Sequence, residues 1–294
     1  MNQKIAEAIN TLGIFCGKRD IPALTKEEMQ KKCGIEQADV LVLFGGSILC
    51  GGDVLAQAIK ENVAKHYLIV GGEGHTTQSL RDRVHAEYPQ IETDGLPEAK
   101  VFEAYLKEKY DLAVDYLECN STNCGNNITY LLDTLNKHCI EWNSIILMQD
   151  ATMQHRMEAG LRKHLEERTH MHIMDERCST KGKEVCETEK RIIINYATYK
   201  AKVVCVSAKA GEAEAKPNLI YENDIYGMWD MDRYITLLMG EISRLSDDEN
   251  GYGPKGKAFI AHVDIPKEVR EAFELLNEEY KGYVREANSA YASK

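Results

Sequence analysis

Two glycine doublets, Gly45-Gly46 and Gly71-Gly72, each follow a short apolar run, Leu41 to Phe44 and Tyr67 to Val70. A strand that ends in residues without side chains lets a phosphate, a ribose or an amino-acid group come close to the backbone. In open parallel sheets, ligands gather outside the carboxyl ends of the strands. The first doublet opens a connection, Phe44 to Asp53, whose N–H groups, with Ser47, can hold a carboxylate or phosphate and whose Asp53 can cap the next helix. It matches neither GxGxxG nor the P-loop pattern, so it is no evidence for NAD or ATP.

Three further polar loops carry chemistry. After the second doublet come Glu73, Gly74 and His75. A carboxylate there can accept both ribose hydroxyls, and an imidazole can move a proton. Asn120 to Asn127 is a dense run of small polar side chains, among them Ser121, Thr122, Asn123 and Asn127, where one caps a helix and the others can face a ligand. Its Cys124 sits where a helix start lowers a thiol pKa, but no base is assigned beside it. Gln149 to Arg156 follows the apolar run Ile145 to Met148. Asp150 and Thr152 can cap the helix there, while His155 and Arg156 can reach an anion above the sheet. His170 and His172 lack further ligands at a metal-binding spacing, HExxH is absent, and the acidic stretch from Asp247 to Gly251 reads as a turn, so no metal site is expected.

The elements that must position these loops follow from periodicity. Two helices fill residues 3–33, the second started by Thr25 with Glu28 and ended by Gly34. Strands are expected at 39–44, 67–71, 114–118, 144–149 and, more weakly, 170–174. Helices are expected at 53–64, 77–87, 98–109, 124–138 and 151–166. This alternation predicts an α/β fold with a mostly parallel sheet covered on both faces by helices. Val203 to Val206 adds a strand, Lys209 to Pro217 reads as an exposed loop, and 228–245 and 267–290 form a small, mainly helical extension. The implied organisation is a helical segment 1–35, an α/β domain 36–210 and an extension 211–294.

With 36 Lys and Arg against 47 Asp and Glu, the net charge of −11 argues against a general grip on nucleic acid. Nine cysteines, an odd number without a CxxC pair, read as reduced thiols. Residues 1–10 lack the apolar run of a secretory signal, and no membrane-spanning stretch occurs, so a cytoplasmic protein is expected.

The chain resembles the YdcF-like proteins, of the family of uncharacterised domains that includes SanA and ElyC. The residues that carry this are Gly45-Gly46, Gly71-Gly72, Gly74-His75, Glu98-Ala99, Ser121 to Gly125 with Asn127, and Gln149-Asp150 with Thr152 to Gln154 and Arg156. They continue through Gly240-Glu241, Arg244-Leu245, Asp247-Asp248, Gly251 to Pro254 and His262 to Asp264. The resemblance implies a Rossmann-like domain and binding of S-adenosylmethionine, with no settled reaction. Asn126 stands where the family usually carries Glu, and 169–215 matches poorly.

The leading expectation is therefore an S-adenosylmethionine-binding protein, with methyl transfer as its candidate reaction. The first glycine loop lies near the ligand's amino-acid end, Glu73 at its ribose, Ser121, Thr122 and Asn123 along its polar wall, and Asp150 and Arg156 at the far strand. The alternatives are a hydrolase or transferase acting on a phosphate-containing or nucleotide substrate, with Arg156 stabilising charge and His75 or Glu98 moving a proton, and a non-catalytic ligand sensor whose helical extension moves.

Overall fold

The computed structural model describes residues 2–74, 76–178, 191–206 and 218–283, with 168–178 described by their helical backbone alone. Helices α1 (Asn2–Cys16) and α2 (Lys26–Cys33) precede an alternating series: β1 (Ala38–Phe44), α3 (Cys50–Lys60), β2 (Ala64–Val70), α4 (Thr77–Glu87), α5 (Glu98–Tyr110), β3 (Tyr116–Glu118), α6 (Cys124–Lys137), β4 (Ser144–Met148), α7 (Gln154–Cys178) and β5 (Ile192–Asn195). A short hairpin, β6 (Val203–Cys205) and β7 (Leu219–Tyr221), leads to α8 (Met231–Leu245) and α9 (Lys267–Glu279).

The main sheet has five parallel strands in the order β3-β2-β1-β4-β5, flanked by helices in a Rossmann-like α/β arrangement. The chain builds outward from β1 to β3, then returns to the other side of β1 with β4. The switch point therefore lies between the carboxyl ends of β1 and β4, where a crevice opens in such sheets.

Strand β1 is apolar along nearly its whole length because both faces are covered. Leu41 and Leu43 pack with Leu55, Phe102 and Leu106 on one face. Val40, Val42 and Phe44 pack with Ile128, Leu131 and Met157 on the other. A third core joins the beginning and the later part of the chain: Ile9 and Leu12 of α1 pack with Tyr234 and Leu238 of α8 and Leu276 of α9. An ideal Cβ on Gly13 would lie 2.7 Å from the Tyr234 hydroxyl, so this glycine lets the tyrosine ring seat against α1.

Several boundaries differ from those expected. Residues 170–174 belong to α7, whose stretch has no proline and no glycine between Gly160 and Gly182 to stop it. The fifth strand is Ile192–Asn195, a run the sequence reading passes over. Helix α3 begins at Cys50 despite Gly51 and Gly52, since a Cβ on Gly52 would collide with Tyr105 at 2.8 Å and the close packing outweighs glycine's poor propensity. Helix α8 starts at Met231, where Asp230 accepts from Arg233 N at 2.8 Å, and α9 ends at Glu279. Asp247 to Gly251 is a turn, with Asp248 accepting from Asn250 N and Gly251 N. Lys209 to Pro217 lies outside the described residues.

Gln154, fully buried, ties the ends of β4 and β5 together. Its Oε1 accepts from Gln149 N at 2.8 Å, and its Nε2 donates to Leu147 O and Asn195 Oδ1, each at 3.1 Å. Gln154→Ala strands these groups without partners, and we expect a loss of about 2–4 kcal/mol. The measurement is urea unfolding, where the midpoint falls while the slope is retained.

Candidate functional site

Helix α5 is seated on the second doublet. Its first two N–H groups, those of Glu98 and Ala99, donate to Gly72 O and Gly71 O at 2.8 Å each, satisfying donors that a helix start otherwise leaves open. This close seating explains three of the four doublet glycines. A Cβ on Gly45 would run into the Glu98 side chain, one on Gly71 would lie 3.0 Å from the Gly45 Cα, and one on Gly72 would lie 2.7 Å from Ser121 N. Gly45, Gly71 and Gly72 are thus required by the protein's own packing, where the sequence suggested ligand approach. Gly46 differs: a Cβ there would lie 3.6 Å from Gln149 Oε1 and 4.0 Å from Asp150 Oδ2, in ordinary contact. Gly74 also has room, with Thr122 O at 3.7 Å.

Two buried carboxylates flank this first loop. Glu98 accepts from the hydroxyls of Thr77 at 2.8 Å and Thr76 at 3.3 Å. Burial nonetheless outweighs these bonds and lifts its pKa to about 7. Asp150 commits Oδ1 to Thr152, N–H at 2.9 Å and hydroxyl at 2.5 Å, and so shapes the turn into α7. Burial lifts its pKa to about 6. Its Oδ2 makes no such bond and faces Gly46. Gln149 fixes the loop from below, donating to Gly45 O at 3.2 Å and accepting from Asp150 N at 2.6 Å. Between Phe44, Gly46, Gln149, Asp150 and Thr198 the enclosed space is about 10 Å³, room for about one water. A larger ligand on Gly46 must lie over the strand ends.

The third loop is mostly self-bonded. The Ser121 hydroxyl accepts from Gly72 N at 3.1 Å, and Glu118 accepts from Asn120 N and Ser121 N. Asn123 caps α6 by accepting from Asn126 N at 3.0 Å, while Asn126 Oδ1 accepts from Asn123 Nδ2 at 2.8 Å and the exposed Thr122 hydroxyl at 3.1 Å. Asn126 thereby ties the capping side chain and Thr122 together with an uncharged acceptor. Asn127 lies in the first turn of α6, its N–H bonded to Asn123 O. Cys124 has its thiol pKa raised, because burial outweighs the lowering by Arg156.

Arg156 is not available as a free anion binder. It forms a two-toothed ion pair with Glu241 of α8, one leg from Nε to Oε2 and the other from Nη2 to Oε1 at 2.9 Å, and both side chains are largely buried. Burial opposes its charge, but Cys124 and Glu241 win and raise its pKa. His155 faces α1, bonded to Phe15 O at 2.9 Å and with its pKa lowered by burial. Glu73 stands on the rim, 67 % exposed, and pairs with the buried Arg81 at 3.0 Å. Ser47 is buried under Trp229, accepting from its indole N–H at 3.0 Å. His75 lies outside the described residues.

The structure thus gathers Gly46, Ser47, Gln149, Asp150 and Glu98 at the switch point, with Arg156 held behind Asp150 and Glu73 apart on the rim. Glu241, Trp229 and the Thr76–Thr77 pair were missed as partners. Only the resemblance, through Gly240-Glu241, drew attention to one of them. Among the described residues no group of three or more His, Cys, Asp and Glu is placed to hold a metal ion.

A Cβ meets backbone at Gly72 but makes only ordinary van der Waals contacts at Gly46. Gly72→Ala is therefore expected to lower stability by about 2 kcal/mol or more and Gly46→Ala by less than about 0.5 kcal/mol, read from unfolding midpoints. The raised Glu98 pKa gives a second expectation. The folded protein keeps a proton that the unfolded chain releases above about pH 4.5, so this group's contribution falls as pH rises to about 7 and is level beyond. The stability of Glu98→Gln relative to the parent should increase between pH 5 and pH 8 by up to about 3 kcal/mol; equal profiles for the two proteins overturn the assignment. No known protein-family model matches the chain.

Proposed function

We propose that this protein binds S-adenosylmethionine over the β1–β4 switch point and acts on small molecules, without nucleic acid, in the cytoplasm. The observation that carries the reading is the pairing of Arg156 with Glu241. It leaves the neighbourhood of Gly46 with open acceptors, chiefly Asp150 Oδ2, and its nearest buried cation already neutralised. Such a set of acceptors suits a ligand bearing an ammonium and a sulfonium better than a phosphate. The resemblance to YdcF-like proteins supplies the identity of the ligand. Among the described residues no helix is long and apolar enough to cross a membrane.

In this reading Gly46 admits the amino-acid end of the ligand to the backbone, and Asp150 accepts from its ammonium group. Glu73, Thr122 and Asn123 line the outer wall. When bound, S-adenosylmethionine supplies an activated methyl group, and aligning an acceptor with it needs chiefly proximity and orientation. Glu98, with a pKa near neutrality, is the group able to take up or release a proton beside the loop. The phosphate-directed alternative requires an anion to displace Glu241 from Arg156, breaking a buried, two-toothed pair, which costs several kcal/mol on the order of 3–5. The sensor alternative rests on the same pair, which links the site to α8.

Isothermal titration of the intact protein with S-adenosylmethionine tests the proposal. Binding is expected, abolished by Gly46→Leu, whose side chain adds bulk beside Gln149 and Asp150, and weakened about tenfold by Asp150→Asn. No binding by the parent protein overturns the reading. Binding or turnover of phosphate esters that is lost in Arg156→Ala replaces it with the alternative.

A further inference from the structure

The loop joining the β6–β7 hairpin to α8, residues 222–230, crosses the first glycine loop and is fastened to three helices. Tyr226 O accepts from Cys50 N at 3.3 Å at the start of α3, the Tyr226 hydroxyl bonds Glu87 of α4, and Lys109 of α5 lies 5.0 Å from the Tyr226 ring centre. Gly227 turns the loop with φ +82°, and an ideal Cβ there would lie 2.7 Å from Arg83 Nη1, so the guanidinium packs directly over the glycine.

Between this loop and α4 is an open pocket of about 520 Å³, lined by Arg83, Tyr221, Asp224, Ile225, Met228 and Trp229 among others. The volume falls within the roughly 300–1,000 Å³ range of small-molecule sites. Its chemistry is divided. Trp229, Tyr221, Met228 and Ile225 offer aromatic and apolar surface, and the indole N–H is already committed to Ser47. Arg83 is only partly exposed, and among the described residues it forms no ion pair or hydrogen bond. Asp224, on the exposed lip, is not within ion-pair distance of it. A guanidinium fixed over a glycine, unpaired, beside aromatic surface is suited to a planar molecule carrying a carboxylate or phosphate. The pocket and the switch point share a wall, since Trp229 bonds Ser47 and Ser47 follows Gly46.

We infer that this pocket is a binding site for a second small ligand, a planar aromatic body bearing one carboxylate or phosphate, with Arg83 on the anion and Trp229 against the ring. The pocket shares no lining residue with the space beside Gly46, so the assignment does not depend on what binds over that loop.

The probes are 2-naphthoate, 2-naphthyl phosphate and the uncharged 2-naphthamide, titrated calorimetrically into the full chain. At least one of the two anions is expected to bind at least tenfold more tightly than the amide, and the tighter of the two identifies the anion. Arg83→Met, which keeps the stem over Gly227, should abolish that preference with an unchanged unfolding midpoint, and Arg83→Lys should restore part of it. No binding by either anion, equal binding of the amide, or an unchanged preference in Arg83→Met overturns the inference. Failure of S-adenosylmethionine to bind, with the naphthyl anion bound, would count against the proposed function alone.

Discussion

Where β1 and β2 end, two backbones and the first turn of α5 occupy space that leaves no room for a Cβ. Gly45 and Gly71 pass in van der Waals contact, Gly72 lies against the backbone of Ser121, and α5 places its free N–H groups on the carbonyls of Gly71 and Gly72. Much else follows from this contact. It draws Glu98, the first residue of α5, beneath the β1 loop and away from water, and that burial raises its pKa. It also fixes where the third loop lies, because the Ser121 hydroxyl must meet Gly72 N.

On the other side of β1 the organising groups are polar. Gln149, Gln154 and Asn195 interlock the ends of β4 and β5, and Asp20 accepts from Asn195. Asp150 turns the chain into α7, whose Arg156 then reaches across to Glu241. A buried ion pair of this kind contributes little net stability against an apolar pair of the same shape, yet removing one partner leaves an isolated charge in a poor solvent. It works as a latch that fixes how α8 meets the sheet. The arrangement also separates two roles that the sequence left merged: Asp150 faces the open space at Gly46, while Arg156 serves the joint behind it.

The strands β1, β2 and β4 were legible because burial on both faces makes each a compact apolar run followed at once by polar or glycine-rich residues. Three of the four loops at one end of the sheet could be listed from that alone, the fourth following the short strand β3. Strand β5 was not legible: three isoleucines at 192–194 are too short a run to separate from a buried helical segment by periodicity. The period of 170–174 was equally ambiguous, and there helix continuation won. Within the site, the sequence located Gly46, Gln149, Asp150 and Glu98 but could not assign their tasks. Whether a glycine admits a ligand or a neighbouring helix depends on contacts distant in the chain, as Gly45 with Glu98 shows. The pairing of Arg156 with Glu241 is hidden for the same reason, since nothing local distinguishes a free arginine from one already satisfied.

The third core has a consequence for the order in which the protein can be assembled. Its members include α1, α8 and α9 together with Ile48, Ala151, Ala159, Ala197, Tyr199 and Val203, so part of the apolar surface that covers α1 is missing until α8 and α9 have been made. Contacts of such long sequence separation form late and slow folding. The parallel sheet can assemble around β1 before then, leaving Ile9 and Leu12 of α1 incompletely covered until α8 and α9 arrive. The same late closure brings α8, and with it Glu241, to the switch point, so Arg156 acquires its partner only after α8 has been made.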